Sequence, residues 1–454
     1  MPSTVTIKAP ASKSVSHRAF ICAALAQGTS LVKDALTSDD LIRTRGCLEA
    51  CGARFVNTTE GWEISGVSGQ PQGGGLRQNN GKTLGSAGAP EGAVPADCDV
   101  HESGTTCRLI TAVLAAGLGR FHIHGAPRMH TRPIGQLTRA LAPQGPVFDW
   151  QGQPGYPPFI IQTSGLSGGD VTIPLDESSQ YLSGLLLAAP MASHPTTLHI
   201  GGDKVVSWPY VSLTLMVMAD FGVDVAVEAL EDGQWRRKIF TQVTQVTPGL
   251  IRFAVTPSRY RPRHYTVEGD WSNASYFLAA GALGNKPVHV QGLRRDSLQG
   301  DKAILDILAS MGAAVHWDET GVTVSGGNLH GVDLDMGSCP DLVPTVCAVA
   351  AQAAGPTTIR NVAHLRIKES DRLDACATEL RKTGVDAVTF PDGITITPRP
   401  IQPGLPVSFC TYGDHRLAMS MSLFELAGVA ATLDNPGCVG KSFPGFWDQW
   451  RLVR

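Results

Sequence analysis

Basic side chains recur in this sequence beside Ser, Thr and Gly, at places where helices should begin. Lys13-Ser14-Val15-Ser16-His17-Arg18 puts Lys13 at a turn and Arg18 in the first turns of a helix. A cation there opposes the helix dipole and suggests a compensating anion, although solvated surface charges would give the same pattern. Arg128-Met129-His130-Thr131-Arg132-Pro133 sets Arg132 just ahead of a Pro-fixed helix start, a geometry suited to clamping a carboxylate or phosphate. Lys368-Glu369-Ser370-Asp371-Arg372 and Asp414-His415-Arg416 are denser. Either alone fits ordinary ion pairs at helical spacing; recurrence at repeated openings does not. Asp341, between Pro340 and an apolar run, reads as a helix cap or as a general base. Lys441, before Ser442-Phe443-Pro444, is a further cation in a Gly/Pro-punctuated loop. Walker A, HExxH and GxSxG patterns are absent from the sequence, and Ser178 and Ser179 lack an activating motif. The chemistry implied is electrostatic binding of anionic substrates with proton transfer between them.

Six loosely similar segments must position these groups. Their openings are Ser12-Lys13-Ser14, Glu102-Ser103-Gly104-Thr105, Glu177-Ser178-Ser179-Gln180, Asp270-Trp271-Ser272-Asn273, Pro340-Asp341 and Gly413-Asp414-His415-Arg416. Each runs into an Ala/Leu-rich helix. In all but the last, a second helical stretch ends in Gly and a strand-like tail, as at Gly52-Ala53 and Gly145-Pro146. The glycines recur every roughly 70–95 residues, too far apart for a solenoid and suited to small αβ subdomains. Helix N-termini bear free N–H groups and the positive dipole end, so several such ends would favour a polyanionic small molecule.

The coarse pattern is helix, strand, loop, helix, strand, which argues for an α/β architecture. Ser38-Asp39-Asp40 is expected to cap a helix over Leu41 to Ala50, Thr196 to Ile200 to form a strand, and Tyr210 to Phe221 a helix. Ser68 to Ala96, rich in Gly, Gln, Ala and Asn, reads as a long surface loop or insertion, and Trp235 to Lys238 as a solvated edge or loop.

At 454 residues the chain exceeds one ordinary core. Its 43% apolar and 17% charged residues describe a globular protein, and the net charge of -3 leaves no footprint for nucleic acid. No apolar run reaches the ~18–20 residues that span a bilayer. The N-terminal residues lack the features of a signal or transit peptide, and the ten cysteines are scattered without a CxxC pattern. A cytoplasmic monomer is expected.

The ordered set of motifs closely resembles the 5-enolpyruvylshikimate-3-phosphate synthase family. The set comprises Lys13 to Arg18, Ser103-Gly104-Thr105-Thr106-Cys107-Arg108, Arg132-Pro133-Ile134-Gly135, Ser178-Ser179-Gln180, Ser207-Trp208-Pro209-Tyr210, Lys368 to Leu373, Asp414-His415-Arg416 and Lys441 to Pro444. The resemblance implies a two-domain enolpyruvyl transferase fold of six βαβαββ-type repeats, three per domain, closing like a hinge around the substrates. Residues 12–267 would form one domain, and 1–11 with 268–454 the other. It implies transfer of the enolpyruvyl group of phosphoenolpyruvate to the 5-hydroxyl of shikimate 3-phosphate, with release of phosphate and no metal or organic cofactor. By resemblance, Asp341 takes the hydroxyl proton, Glu369 delivers the methylene proton, and Lys13 stands near the proton traffic. Phosphoenolpyruvate would be bound by Lys13, Gly104, Arg132, Gln180, Arg372, Arg416 and Lys441. Shikimate 3-phosphate would be bound by Lys13, Ser14, Arg18, Ser178, Ser179, Gln180, Ser207, Asp341, His364 and Lys368. Glyphosate, an anionic competitor of phosphoenolpyruvate in this family, is expected to inhibit, with Gly104 where a side chain would intrude.

The sequence departs from the family pattern at Glu102, where Asn is usual, at His364, where some relatives carry Asn, and in the stretch Ser68 to Ala96. A carboxylate at 102 would repel an anion unless it points away or pairs with His101 or an arginine. Two other readings compete: transfer to a UDP-amino sugar, and a catalytically inactive anion-binding relative. The first would call for a Cys in the loop where Arg128-Met129-His130-Thr131 stands; the second need not keep Asp341 and Glu369.

Overall fold

One sheet pattern, used six times, organises the computed structural model, which describes residues 3–75, 77–79, 82–84, 94–244 and 246–454. Each repeat runs strand, helix, strand, helix and then, in four of the six, a closing pair of strands; the third repeat closes with three. The first two strands lie parallel, and the later strands add antiparallel beside the second. In the second repeat the order across the sheet is Ala96–Asp99, Leu118–His124, Phe159–Ser164, Val147–Trp150. Two repeats borrow their first strand from elsewhere in the chain. His264–Thr266 pairs parallel with Thr29–Lys33, and Val5–Lys8 pairs parallel with Val288–Gln291. The sixth repeat stops at two parallel strands, Pro406–Phe409 and Ala430–Leu433, so its missing Gly and strand tail are real.

That borrowing defines two compact units, Lys13–Val267 in one, Met1–Ser12 with Glu268–Arg454 in the other. Ser12, expected with the first, goes with the second: its N–H donates to the Glu268 carbonyl at 2.7 Å and its hydroxyl to Gln299 Oε1 at 3.2 Å. No helix among the described residues is long and apolar enough to cross a membrane.

The first helix of each repeat is buried nearly all round. Gly104–Ala115, Gln180–Ala188, Trp271–Leu283 and Val343–Ala350 put almost every residue in the core. Sequences apolar on every face can only be central helices, with sheets and second helices packed around them. Their buried N-terminal groups then need partners. Ser103, Asp270 and Asp414 cap three of these helices, accepting from the N–H groups of Thr106, Asn273 and Arg416.

Local readings shift by a residue or more. The strand over Thr196 extends to Val205, and the helix begins at Pro209. Trp235 to Lys238 lies in an edge strand, Gln234–Lys238. Of the stretch Ser68 to Ala96, residues 76, 80–81 and 85–93 lie outside the described residues. Its earlier part is no free loop: Gly73 N–H donates to the Leu118 carbonyl at 2.7 Å, and Gly74 exchanges two 3.0 Å hydrogen bonds with Arg120. Gly is required there, because a Cβ on Gly73 would stand 2.6 Å from the Arg120 carbonyl oxygen.

Candidate active site

In the unit Lys13–Val267, the helix Lys13–Leu25 opens with Lys13 itself, whose ammonium lies 3.1 Å from Asp40 Oδ2. Asp40 is one residue that sequence reasoning missed. Ser38 is the N-cap of the helix Asp39–Ala50 but makes no side-chain cap, and Asp40, read as part of a capping loop, spends its carboxylate on Lys13. Nothing local distinguishes a capping Asp from one whose partner lies 27 residues away.

One turn on, Arg18 is only 1% exposed. Its guanidinium donates to Thr214 Oγ1 at 2.8 Å, the Ser14 carbonyl at 2.8 Å, the Tyr210 carbonyl at 2.9 Å and Ser183 Oγ at 3.5 Å. All four acceptors are uncharged, and burial lowers its pKa from 12.5 to about 10. Beside it in sequence, His17 is buried and held neutral, its pKa lowered to about 3 chiefly by burial. It hydrogen-bonds Thr44, which bonds Thr106 and through it Ser103, the cap of the next repeat's helix.

Gly104 opens that helix against Arg132. The guanidinium, on a residue 5% exposed, donates to the Glu102 carbonyl at 3.2 Å. A Cβ on Gly104 would lie 2.6 Å from Arg132 Cζ, so the glycine makes room for the cation. The backbone of Glu102, the departure from the family pattern, thus helps to aim this arginine. Gln180 donates to Thr105 Oγ1 at 2.9 Å and accepts from Arg108 at 3.0 Å, which ties the third repeat's helix to the second's. Ser178 and Ser179 are buried just ahead of Gln180, and Ser178 Oγ accepts its N–H at 3.3 Å. Ser207 takes a left-handed backbone conformation (φ 56°) before the helix Pro209–Asp220.

In the other unit the charges interlock. Arg372, 2% exposed, meets Asp414 Oδ2 at 2.7 Å, Glu369 Oε2 at 2.8 Å and Asp341 Oδ1 at 3.0 Å. Arg416 reaches Asp341 Oδ2 at 2.8 Å and also the Ser272 hydroxyl, while Lys441 lies 3.7 Å from Glu369 Oε1. Asp341 belongs to a 3-10 turn, Pro340–Leu342, ahead of the helix Val343–Ala350, and its carboxylate holds two guanidinium groups. His364 is buried in the turn Ala363–Ile367, and Lys368 follows that turn, next to Glu369. Asp301, a second residue that sequence reasoning missed, is buried, and its pKa is raised to about 7, first by burial and then by the Asp341 carboxylate. A cavity of about 590 Å³ lined by residues such as Leu283, Gln352 and Arg399 contains none of these groups.

Both units therefore gather cations and hydroxyls at the openings of their central helices, as a protein that binds anions requires. The architecture is that of the enolpyruvyl transferases. It matches an EPSP synthase of Acinetobacter baumannii with a TM-score of 0.74 at 24% identity, covering 100% of this chain and 96% of that one. It matches an enolpyruvyl transferase of Streptomyces tendae at 0.65 and 17% identity, covering 100% and 95%. The sequence profile of EPSP synthase (3-phosphoshikimate 1-carboxyvinyltransferase) matches residues 2–450. Proteins named 3-phosphoshikimate 1-carboxyvinyltransferase are 38% identical over 447 residues in Aeromonas salmonicida and 40% over 451 in Methanosphaerula palustris. Each alignment covers 98% of this chain and 96% of the relative. The chain belongs to the EPSP synthase family.

Proposed function

We infer that this chain transfers the enolpyruvyl group of phosphoenolpyruvate to the 5-hydroxyl of shikimate 3-phosphate, a step of aromatic amino-acid biosynthesis. Family membership over nearly the full length supports the reaction and disfavours a UDP-amino sugar as acceptor. Asp341 accepts the hydroxyl proton as the oxygen bonds to C2 of phosphoenolpyruvate, and Glu369 protonates the methylene carbon. The adduct carries a carboxylate and a phosphate. Expulsion of inorganic phosphate, which leaves with the proton that Asp341 took, and return of one methyl proton to Glu369 then restore the double bond and both carboxyl groups.

The observation that carries this assignment is that Arg372 bonds both Asp341 and Glu369, holding the proposed base and acid on one guanidinium. Arriving anions compete with those carboxylates for Arg372 and Arg416, which frees Asp341 to take a proton when substrate is present. Lys13, Gly104, Arg132, Gln180, Arg372, Arg416 and Lys441 bind phosphoenolpyruvate. Lys13, Ser14, Arg18, Ser178, Ser179, Gln180, Ser207, Asp341, His364 and Lys368 bind shikimate 3-phosphate, with Arg18 serving an anionic group that its neutral surroundings leave room for. The proposed working form is a monomer. A cytoplasmic location agrees with ten cysteines that are all free thiols.

Phosphate release tests the reading. Turnover is expected with phosphoenolpyruvate plus shikimate 3-phosphate. Release only with a UDP-amino sugar, or tight binding of shikimate 3-phosphate without turnover, would overturn it.

A further inference from the structure

Across from the central helices, the outer face of the second repeat's sheet carries a cluster that the transferase reaction does not use. Ala96–Asp99 pairs parallel with Leu118–His124, with Asp97 opposite His122 and Asp99 opposite His124. Alternation sends Cys98, Phe121 and Ile123 into the core and leaves Asp97, His122 and His124 on the other face. Two histidines two residues apart on one strand present their rings side by side, here with centroids 4.7 Å apart and planes 23° from parallel. Asp97 Oδ1 lies 3.0 Å from His124 Nε2 and 3.4 Å from His122 Nδ1. All three donor atoms fall within 4.8 Å of one another.

We propose that Asp97, His122 and His124 form a binding site for a transition-metal dication of the zinc(II) or copper(II) class. Metal–ligand bonds of about 2.0–2.2 Å in tetrahedral geometry place neighbouring donors roughly 3.3–3.5 Å apart. The two measured donor separations, 3.0 and 3.4 Å, bracket the lower end of that range, so small side-chain rotations admit an ion. Two imidazoles with one carboxylate select zinc, copper or nickel over magnesium or calcium, which favour all-oxygen shells. Three protein ligands leave the remaining positions to water, because the carboxylate side chain is 69% exposed and the rings about a third. Ala96–Asp99 is the edge strand of its sheet, joined along its length only to Leu118–His124 among the described strands. An ion held by both strands clips that edge in place ahead of the turn that leads to Gly104.

Titration calorimetry of the chelator-stripped protein with zinc sulfate, in a non-coordinating buffer, tests the site. One equivalent is expected to bind and to raise the thermal midpoint. The double variant His122→Gln/His124→Gln and the single variant Asp97→Asn are each expected to weaken this binding at least about tenfold. Both should keep the parent's metal-free midpoint and its phosphate release, which shows that they fold. Copper(II) titration followed by electron paramagnetic resonance should show coupling to two nitrogens, lost in the double variant. Unchanged zinc affinity in the folded double variant, no zinc binding by the parent, or a copper signal with no nitrogen coupling would each overturn the proposal.

Discussion

Arg18 and Arg372 are both almost wholly buried, one in each unit, yet their surroundings are opposite. Arg372 meets three carboxylates, which outweigh burial and raise its pKa. Arg18 meets two hydroxyls and two backbone carbonyls, and burial lowers its pKa. A buried charge is tolerated when it is paired and hydrogen-bonded. Arg372 is satisfied within its own unit, whereas Arg18 is hydrogen-bonded without being neutralised. The first arrangement is an interlocked cluster of opposite charges around the proposed acid and base; the second leaves a cation without a carboxylate among its hydrogen-bond partners, which suits the substrate anion proposed for it.

The largest expected effect follows from breaking the proposed acid–base pair. Asp341→Asn should lower phosphate release by about 10²–10⁴, the range for loss of a general base, while calorimetry still detects both substrates. Parent-like turnover would reduce Asp341 to a structural partner of the arginines.

Swapping each arginine for Met tests the contrast itself. Arg372→Met takes the guanidinium from buried Asp414 and a cationic partner from each of Asp341 and Glu369, and should destabilise the protein by about 3–5 kcal/mol in denaturant unfolding. Arg18→Met removes a charge with no carboxylate among its hydrogen-bond partners, so its stability cost should be well under half of that. Its loss should appear instead as missing stabilisation by shikimate 3-phosphate. Equal stability losses, with ligand stabilisation intact, would erase the distinction.

Gly104→Ala sharpens the comparison within the cations proposed to bind substrate, since the new methyl group displaces the Arg132 guanidinium. A shift of this kind should lower kcat/KM for phosphoenolpyruvate by about 10–100-fold. Glyphosate inhibition should weaken more, because the methyl also fills space that the inhibitor needs. Inhibition curves at matched phosphoenolpyruvate saturation read this directly, and superimposed curves would remove Gly104 from the site.

The smallest effects concern pH. Asp301, raised to about 7 by burial, stabilises the fold fully only below its ordinary carboxylate range, and that contribution is lost as pH rises through about 7. His17, lowered to about 3 by burial, acts in reverse: its contribution is full above its ordinary value of 6.5 and fades as pH falls toward 3. Melting curves across this range should show Asp301→Asn flattening the neutral side and His17→Gln the acidic side. Profiles parallel to the parent's would show that neither group titrates with folding.

The repeats were legible because their central helices are apolar on every face and begin in polar clusters, a pattern carried by neighbours in sequence. Even the missing tail of the sixth repeat showed in the absence of its glycine. The borrowed strands Val5–Lys8 and His264–Thr266 were not legible as such, since a lone strand does not name its partner. Asp40 was obscured for a related reason: an acidic residue in a helix's first turn satisfies local capping rules whether or not it does anything else.

The sequence by itself determined which residues cluster at helix openings, and the ordered motifs among them determined the family. Only the tertiary structure decided how those charges are shared. It gave Arg372 three carboxylates and Arg18 none among its hydrogen-bond partners, turned Asp341 from a helix cap into a ligand of two arginines, and set Asp97 beside two histidines. Charge pairing falls steeply with distance in space, and a residue's neighbours in space are chosen by packing across repeats rather than by position along the chain.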